Sequence, residues 1–320
     1  MSSTQAIRPR CLVRALIALL AVLPAAHGLR AQPDTLLRHI ALDEVVISAQ
    51  AEGFDVAAFV RRVRTDTTFH KAFLNTRHHP HLLHSEVRVR AKGDRETATM
   101  YRRARLVRDG RRAEQRVDSV RETGRLRDRK GEYRYLTVEM YDDVFFPKGA
   151  FTADNTVAGR RLEVERGNRF EKYKGELKKF MFDPGTEIAS VPFIGDKLAL
   201  FSPEMAPLYD FRIWADERGG RPCWVFSAQA KPGFRDGRTV IKTMDTWFDQ
   251  ATGDVLARSY RIAHASVFLD FDITIHVRNV RIGDALVPVR VDYDGDWDIP
   301  FKQRELVRFW LEYGEWQAVP

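Results

Sequence analysis

Apolar and polar residues alternate one by one along much of the last two thirds of this chain. The clearest run sets Leu269, Phe271, Ile273, Ile275 and Val277 against Asp270, Asp272, Thr274, His276 and Arg278. Successive side chains of a strand point to opposite faces, so this pattern predicts a strand with one buried and one wet face. Val87, Val89 and Ala91 alternate in the same way with Glu86, Arg88 and Arg90. A run beginning at Tyr133, Tyr135 and Thr137, and the segments 208–214 and 223–230, continue the series. One-sided burial favours antiparallel pairing. The turn signals Gly219-Gly220, Asp236-Gly237, Thr252-Gly253-Asp254 and Gly283-Asp284 separate the runs at hairpin spacing.

Upstream the period changes. Val56, Phe59, Val60 and Val63 fall at i, i+3, i+4 and i+7 with Arg61, Arg62 and Arg64 between them, which gives a helix one apolar face and one charged face. Asp66 is placed to cap a second helical turn carrying Phe69, Ala72 and Phe73. The segment 147–207 breaks the β pattern with Pro184-Gly185, Pro192, Pro203 and Pro207 and a lysine patch at 172, 174, 178 and 179. The expected architecture is mainly β (α+β). A curved antiparallel sheet clasps an N-terminal helix at about 54–74, and a helix and loop insertion at about 147–207 covers one mouth or face. With no long linker and no internal repeat, 54–320 reads as a single domain preceded by an extended segment, 32–53.

The first residues change the picture of where the protein works. Arg8, Arg10 and Arg14 without any acid, an apolar run from Ala15 to Ala26 and small residues up to Ala31 form the tripartite pattern of a secretory signal peptide. The run is shorter than the roughly 20 residues a membrane-spanning helix needs, so 1–31 is expected to be cleaved and no transmembrane segment is expected in the mature chain. The expected location is the periplasm or an association with the outer membrane, with secretion as a further alternative. Cys11 lies ahead of the apolar run, where it cannot carry a lipoprotein's lipid, and Cys223 is then the only cysteine left, so no intramolecular disulfide forms. Without the leader's four arginines the net charge falls from +8 to +4. The rest is uneven: residues 88–135 hold 17 Lys and Arg against 8 Asp and Glu. In an exported protein this argues against nucleic acid. It leaves two readings open, arginines on wet strand faces or a surface for lipid phosphates or an acidic partner.

Three constellations bear on chemistry. Five of the nine histidines cluster at 70–84, and His79, His81 and His84 are the candidate metal ligands; the plain alternative is a polar loop between helix and first strand. The window lacks the His-Glu-x-x-His spacing that holds two ligands and a base. Asp292, Asp294, Asp296 and Asp298 resemble the start of a calcium loop, but Ile299 stands where that loop needs glycine, and a strand with the aspartates in water reads as well. Large aromatics crowd the strand-like segments of the last third, and Phe226, Trp247, Phe271 and Trp297 are the candidate lining of a hydrophobic ligand site, against a packed core as the alternative. The chain lacks a nucleophile elbow, a phosphate-binding glycine loop and a dinucleotide fingerprint, so nothing supports an enzyme, and no cofactor is expected.

With these residues in view, the chain resembles a family of uncharacterised exported proteins common in Bacteroidota. The likeness rests on Leu42-Asp43-Glu44-Val45-Val46, the stretch 66–73, Thr246-Trp247-Phe248-Asp249 and the stretch 294–300. More remotely, residues 247–255, the two long strands after them and Leu286-Val287-Pro288 are similar to the later strands of periplasmic lipoprotein-carrier proteins of the LolA/LolB type. That resemblance implies a half-open β-barrel closed by helices around an apolar cavity for acyl chains. Here the helices come mostly before the sheet. The functional expectation is a non-catalytic carrier of a lipid or other hydrophobic ligand in the cell envelope. The alternatives are an accessory subunit docking to an outer-membrane protein and a metal-dependent hydrolase at the histidine window.

Overall fold

The computed structural model describes residues 54–91, 93–157, 181, 184–185, 195–234, 237–266, 270–298 and 304–319. The leader, the extended segment 32–53, the lysine patch and positions 299 and 300 lie outside the described residues.

Helix α1 (Val56–Thr65) buries Phe59, Val60 and Val63, the face read from the spacing, and Asp55 caps it by accepting from the Ala58 amide at 2.8 Å. Asp66 ends α1 and starts α2 (Thr68–Asn75): its carboxylate accepts from the Thr68 amide at 3.0 Å and the Thr68 hydroxyl at 2.7 Å. The first of these bonds satisfies a backbone donor that a helix start leaves open.

Eleven strands follow: β1 (His81–Ala91), β2 (Arg95–Asp109), β3 (Arg112–Gly124), β4 (Ala150–Thr152), β5 (Tyr209–Arg218), β6 (Arg221–Ala230), β7 (Ile241–Asp249), β8 (Val255–His264), β9 (Asp270–Ile282), β10 (Ala285–Asp298) and β11 (Glu305–Gly314). They form one antiparallel, curved and unclosed sheet in the order β4-β3-β2-β1-β11-β10-β9-β8-β7-β6-β5. Two meanders are joined where the first strand pairs with the last, from Leu82 opposite Gly314 to Arg90 opposite Leu306. Within 147–207 the described residues hold β4, two short 3₁₀ turns at Asp196–Leu198 and Ala206–Leu208, and the buried Leu198, Leu200 and Met205.

One sheet face carries the core. Leu83, Val87 and Val89 of β1, Phe309 and Leu311 of β11, Val291, Tyr293 and Trp297 of β10, and Phe271, Ile273 and Ile275 of β9 are buried against the helices. On the other face acids and arginines pair along and across strands: Arg308 with Asp294 at 2.6 Å, Arg261 with Asp272 at 2.5 Å and Arg290 with Asp292 at 2.7 Å. Asp292 and Asp294 of β10 are thus engaged by arginine on the wet face. Within 88–135 some arginines pair in the same way, Arg116 with Glu114 at 3.1 Å and Arg127 with Glu122 at 2.8 Å, surface pairs of little weight.

The run at Tyr133 behaves differently from its alternation. Tyr133 makes only an isolated bridge with Arg127, and from Leu136 the chain is helical, α3 (Leu136–Phe145). Val138, Tyr141 and Phe145 fall at i, i+3 and i+7 and are buried, and no side chain of the preceding residue caps the helix. The cap comes from 168 residues away: the Glu305 carboxylate, 4% exposed, accepts from the amides of Leu136 at 2.7 Å and Thr137 at 2.8 Å. Tyr141 donates to Ser85 on β1 at 2.5 Å, and Arg102 on β2 meets Asp142 at 2.6 Å while lying 4.1 Å over the Phe146 ring. These long-range bonds fix α3 over the seam between β1 and β11.

Replacing Glu305 by Ala leaves two buried amides without an acceptor. We expect Glu305→Ala to lower stability by about 2 kcal/mol, read as a shift of the urea midpoint with an unchanged slope. Wild-type stability in that variant would show that Glu305 does not hold α3.

Candidate functional site

Where α2, α3 and the seam meet, the core leaves an apolar cavity of about 180 Å³. Phe73 and Leu74 of α2, Leu83 of β1, Val144 and Phe145 of α3 and Phe151 of β4 supply its apolar wall. His70, Thr76, Arg77, His81, Gln115, Asp143 and Tyr313 bring polar groups to the rest of the wall. The Arg77 guanidinium lies 4.5 Å over the Phe151 ring, and the Thr76 hydroxyl donates to the Phe73 carbonyl at 2.7 Å.

His81 links this cavity to the C-terminal residues. Its Nδ1 lies 2.9 Å from the His79 carbonyl oxygen, which only accepts, so Nδ1 carries the proton. The ring packs on Trp316 at 4.3 Å and on Tyr313 at 5.2 Å. Burial, the largest effect, holds His81 down at about 4. His79 is also lowered to about 4, first by burial and then by the positive neighbours His78 and Arg108, and its Nδ1 accepts from the Val319 amide at 3.1 Å. His84, an odd step along the strand from His81, bonds Tyr101 at 2.8 Å instead. Among the described residues no group of three or more His, Cys, Asp or Glu is placed to hold a metal ion.

The aromatic candidates divide by strand parity. Phe226 is fully buried in the core beside Phe201 and Phe211, and Phe271 packs on Trp297 at 5.2 Å. Trp297 also donates to the Tyr293 hydroxyl at 2.7 Å. Trp247 sits in a second cluster with Cys223 and Val225, donates to Asp216 at 2.7 Å and lies 4.0 Å beneath Arg218. None of the four lines the 180 Å³ cavity. The sequence offered no signal for it, since its wall draws on three helix or loop segments and four strands.

Two open polar clefts lie elsewhere. One, of about 690 Å³, lies between α2 and the β9–β10 turn and includes Lys71, Asn75, His79 and Arg281. The other, of about 700 Å³, lies along the ends of β7, β8 and β9 and includes Lys242, Arg261, His264 and Phe271. Both are more open to solvent than the cavity under α3.

No protein-family model matches the chain, and no curated protein does. Among solved structures the chain is similar to one described as an outer membrane lipoprotein-sorting protein domain from Vibrio parahaemolyticus. The identity is 9%, with 76% of this chain and 88% of that one covered and a TM-score of 0.26. A DUF1329 family protein from Desulfovibrio piger matches at 8% identity over 81% of this chain and 90% of its own, with a TM-score of 0.23. Overlaps this loose transfer no activity, and the fold is read from the strand order itself. No helix among the described residues is long and apolar enough to cross a membrane.

His81 also makes a prediction. Its folded value of about 4 lies below the ordinary 6.5, so the unfolded chain binds the extra proton first as pH falls. Its contribution is complete above pH 6.5 and is lost as pH drops towards 4, on the order of 3 kcal/mol. Thermal melts should show this loss in wild type and a flatter profile in His81→Phe, which keeps the stack on Trp316. Equal pH slopes in the two proteins would contradict the assignment.

Proposed function

We propose that this protein is an exported, non-catalytic binding protein of the cell envelope, which holds the end of a lipid or other hydrophobic ligand in the cavity under α3. The observation that carries the reading is a cavity of about 180 Å³ at the seam, walled on its apolar side by Phe73, Leu74, Leu83, Val144, Phe145 and Phe151. A dry cavity of similar size lined by Leu, Ile and Phe takes up benzene. Whole drug-sized ligands need roughly 300–1,000 Å³, so only one end of a longer molecule enters without movement. The leader pattern supports export, and the arginine-rich β2 and β3 beside the cavity suit lipid phosphates at the part left outside.

A second reading, an accessory subunit that docks to an outer-membrane protein, draws on a different observation. Among the described residues β4 pairs only with Arg112, Ala113 and Glu114 of β3, and Val117 and Val120 further along β3 are each 51% exposed. A strand edge with exposed valines is a template for pairing with another chain.

The carrier reading is tested by titrating the leader-processed protein with the fluorescent fatty acid cis-parinaric acid. Saturable binding is expected, weakened by about tenfold or more in Val144→Phe, which fills the cavity from α3, with the melting temperature held. Equal binding by the two proteins, or none by wild type, would contradict it and turn attention to the β3 edge.

A further inference from the structure

The cavity wall has polar atoms whose bonding capacity the protein leaves unused. Gln115, on β3, lines the cavity, and its buried Nε2 has no hydrogen-bond partner among the described residues. Tyr313, on β11 and 5% exposed, lines it too; ring contacts with His81 and Trp316 hold it, and no described residue hydrogen-bonds its hydroxyl. Of the other donors on the wall, the Thr76 hydroxyl bonds the Phe73 carbonyl and His81 Nδ1 bonds that of His79, while the Arg77 guanidinium lies over the Phe151 ring. A buried amide N–H without an acceptor carries the full cost of its desolvation, which is why such atoms call for an explanation. Arg77 and Asp143 bring opposite charges to the same wall, so no net charge there favours an ionised group.

Resting on the binding reading above, we infer that the inserted end of the ligand is apolar but carries a carbonyl oxygen, as an ester, amide or ketone, which accepts from Gln115 and, as second donor, Tyr313. A bare hydrocarbon tip fills the volume and leaves both donors unpaired. A carbonyl oxygen within reach accepts from these donors, where a methyl group of the same size does not. Specificity would then come from a penalty on ligands without the acceptor, the way a site built to bond a polar group rejects its apolar analogue.

A matched pair of probes tests this. Acetophenone and cumene have the same heavy-atom skeleton, with the carbonyl oxygen of one replaced by methyl in the other. Both are titrated by NMR into the leader-processed wild type, Gln115→Met and Tyr313→Phe. The ratio of acetophenone to cumene affinity is expected to fall about tenfold in Gln115→Met and by a smaller factor in Tyr313→Phe, with cumene binding held or improved. Tyr313→Phe keeps the test decisive should Gln115→Met fail to fold. An unchanged ratio in the folded variants, with cumene still bound, overturns the carbonyl inference and leaves the binding reading standing. Failure of wild type to bind either probe overturns both.

Discussion

The pairing of β1 with β11 is the contact on which the rest of the molecule depends. Nine residue pairs, from Leu82–Gly314 to Arg90–Leu306, join the first strand of the domain to its last. On one side β2, β3 and β4 extend as a meander from β1, and on the other β10 back to β5 extends from β11. Without this pairing there are two smaller sheets, each with a long central edge open to water and to other chains. The closure spans more than two hundred residues, and its entropic cost grows only slowly with that length. It is offset by main-chain bonds and by the burial of Leu83, Val87 and Val89 beside Phe309 and Leu311.

The seam also decides where the helices sit and where space remains. Tyr141 of α3 reaches Ser85 on β1 while Glu305 at the start of β11 caps the same helix, so α3 is bonded to both strands of the joint. α2 is held at the other side by Asn75, which donates to the Leu286 carbonyl at 2.7 Å. Between these two anchored helices the side chains of Leu83 and Tyr313 do not fill the volume beneath, and the cavity is what is left. Close-packed interiors keep few such voids, which gives this one its weight in the functional reading.

Much of the fold was legible in local pattern. The alternation at 271–277 is the buried face of β9, the i, i+3, i+4, i+7 set is the buried face of α1, and Asp66 is the cap its position implied. The site was not legible, because the residues that make it have no shared spacing. Face assignment across strands needs the register: Phe226 stands opposite Thr246, which turns Trp247 to the other side of the sheet. Register comes from long-range pairing that a single sequence does not display. The three-residue step from His81 to His84 was a local clue, since an odd step on a strand puts two side chains on opposite faces. The start of α3 was hidden for the same reason as the site: its cap, Glu305, comes from the far end of the chain.

The central claim is that a space large enough for one end of a hydrophobic ligand lies under α3 at the β1–β11 seam, and a crystal pressurised with xenon tests it most directly. Xenon enters dry apolar cavities of this size. The account predicts one ordered xenon site among Phe73, Leu83 and Phe145. A seam with no xenon, its side chains closed against one another, would contradict it.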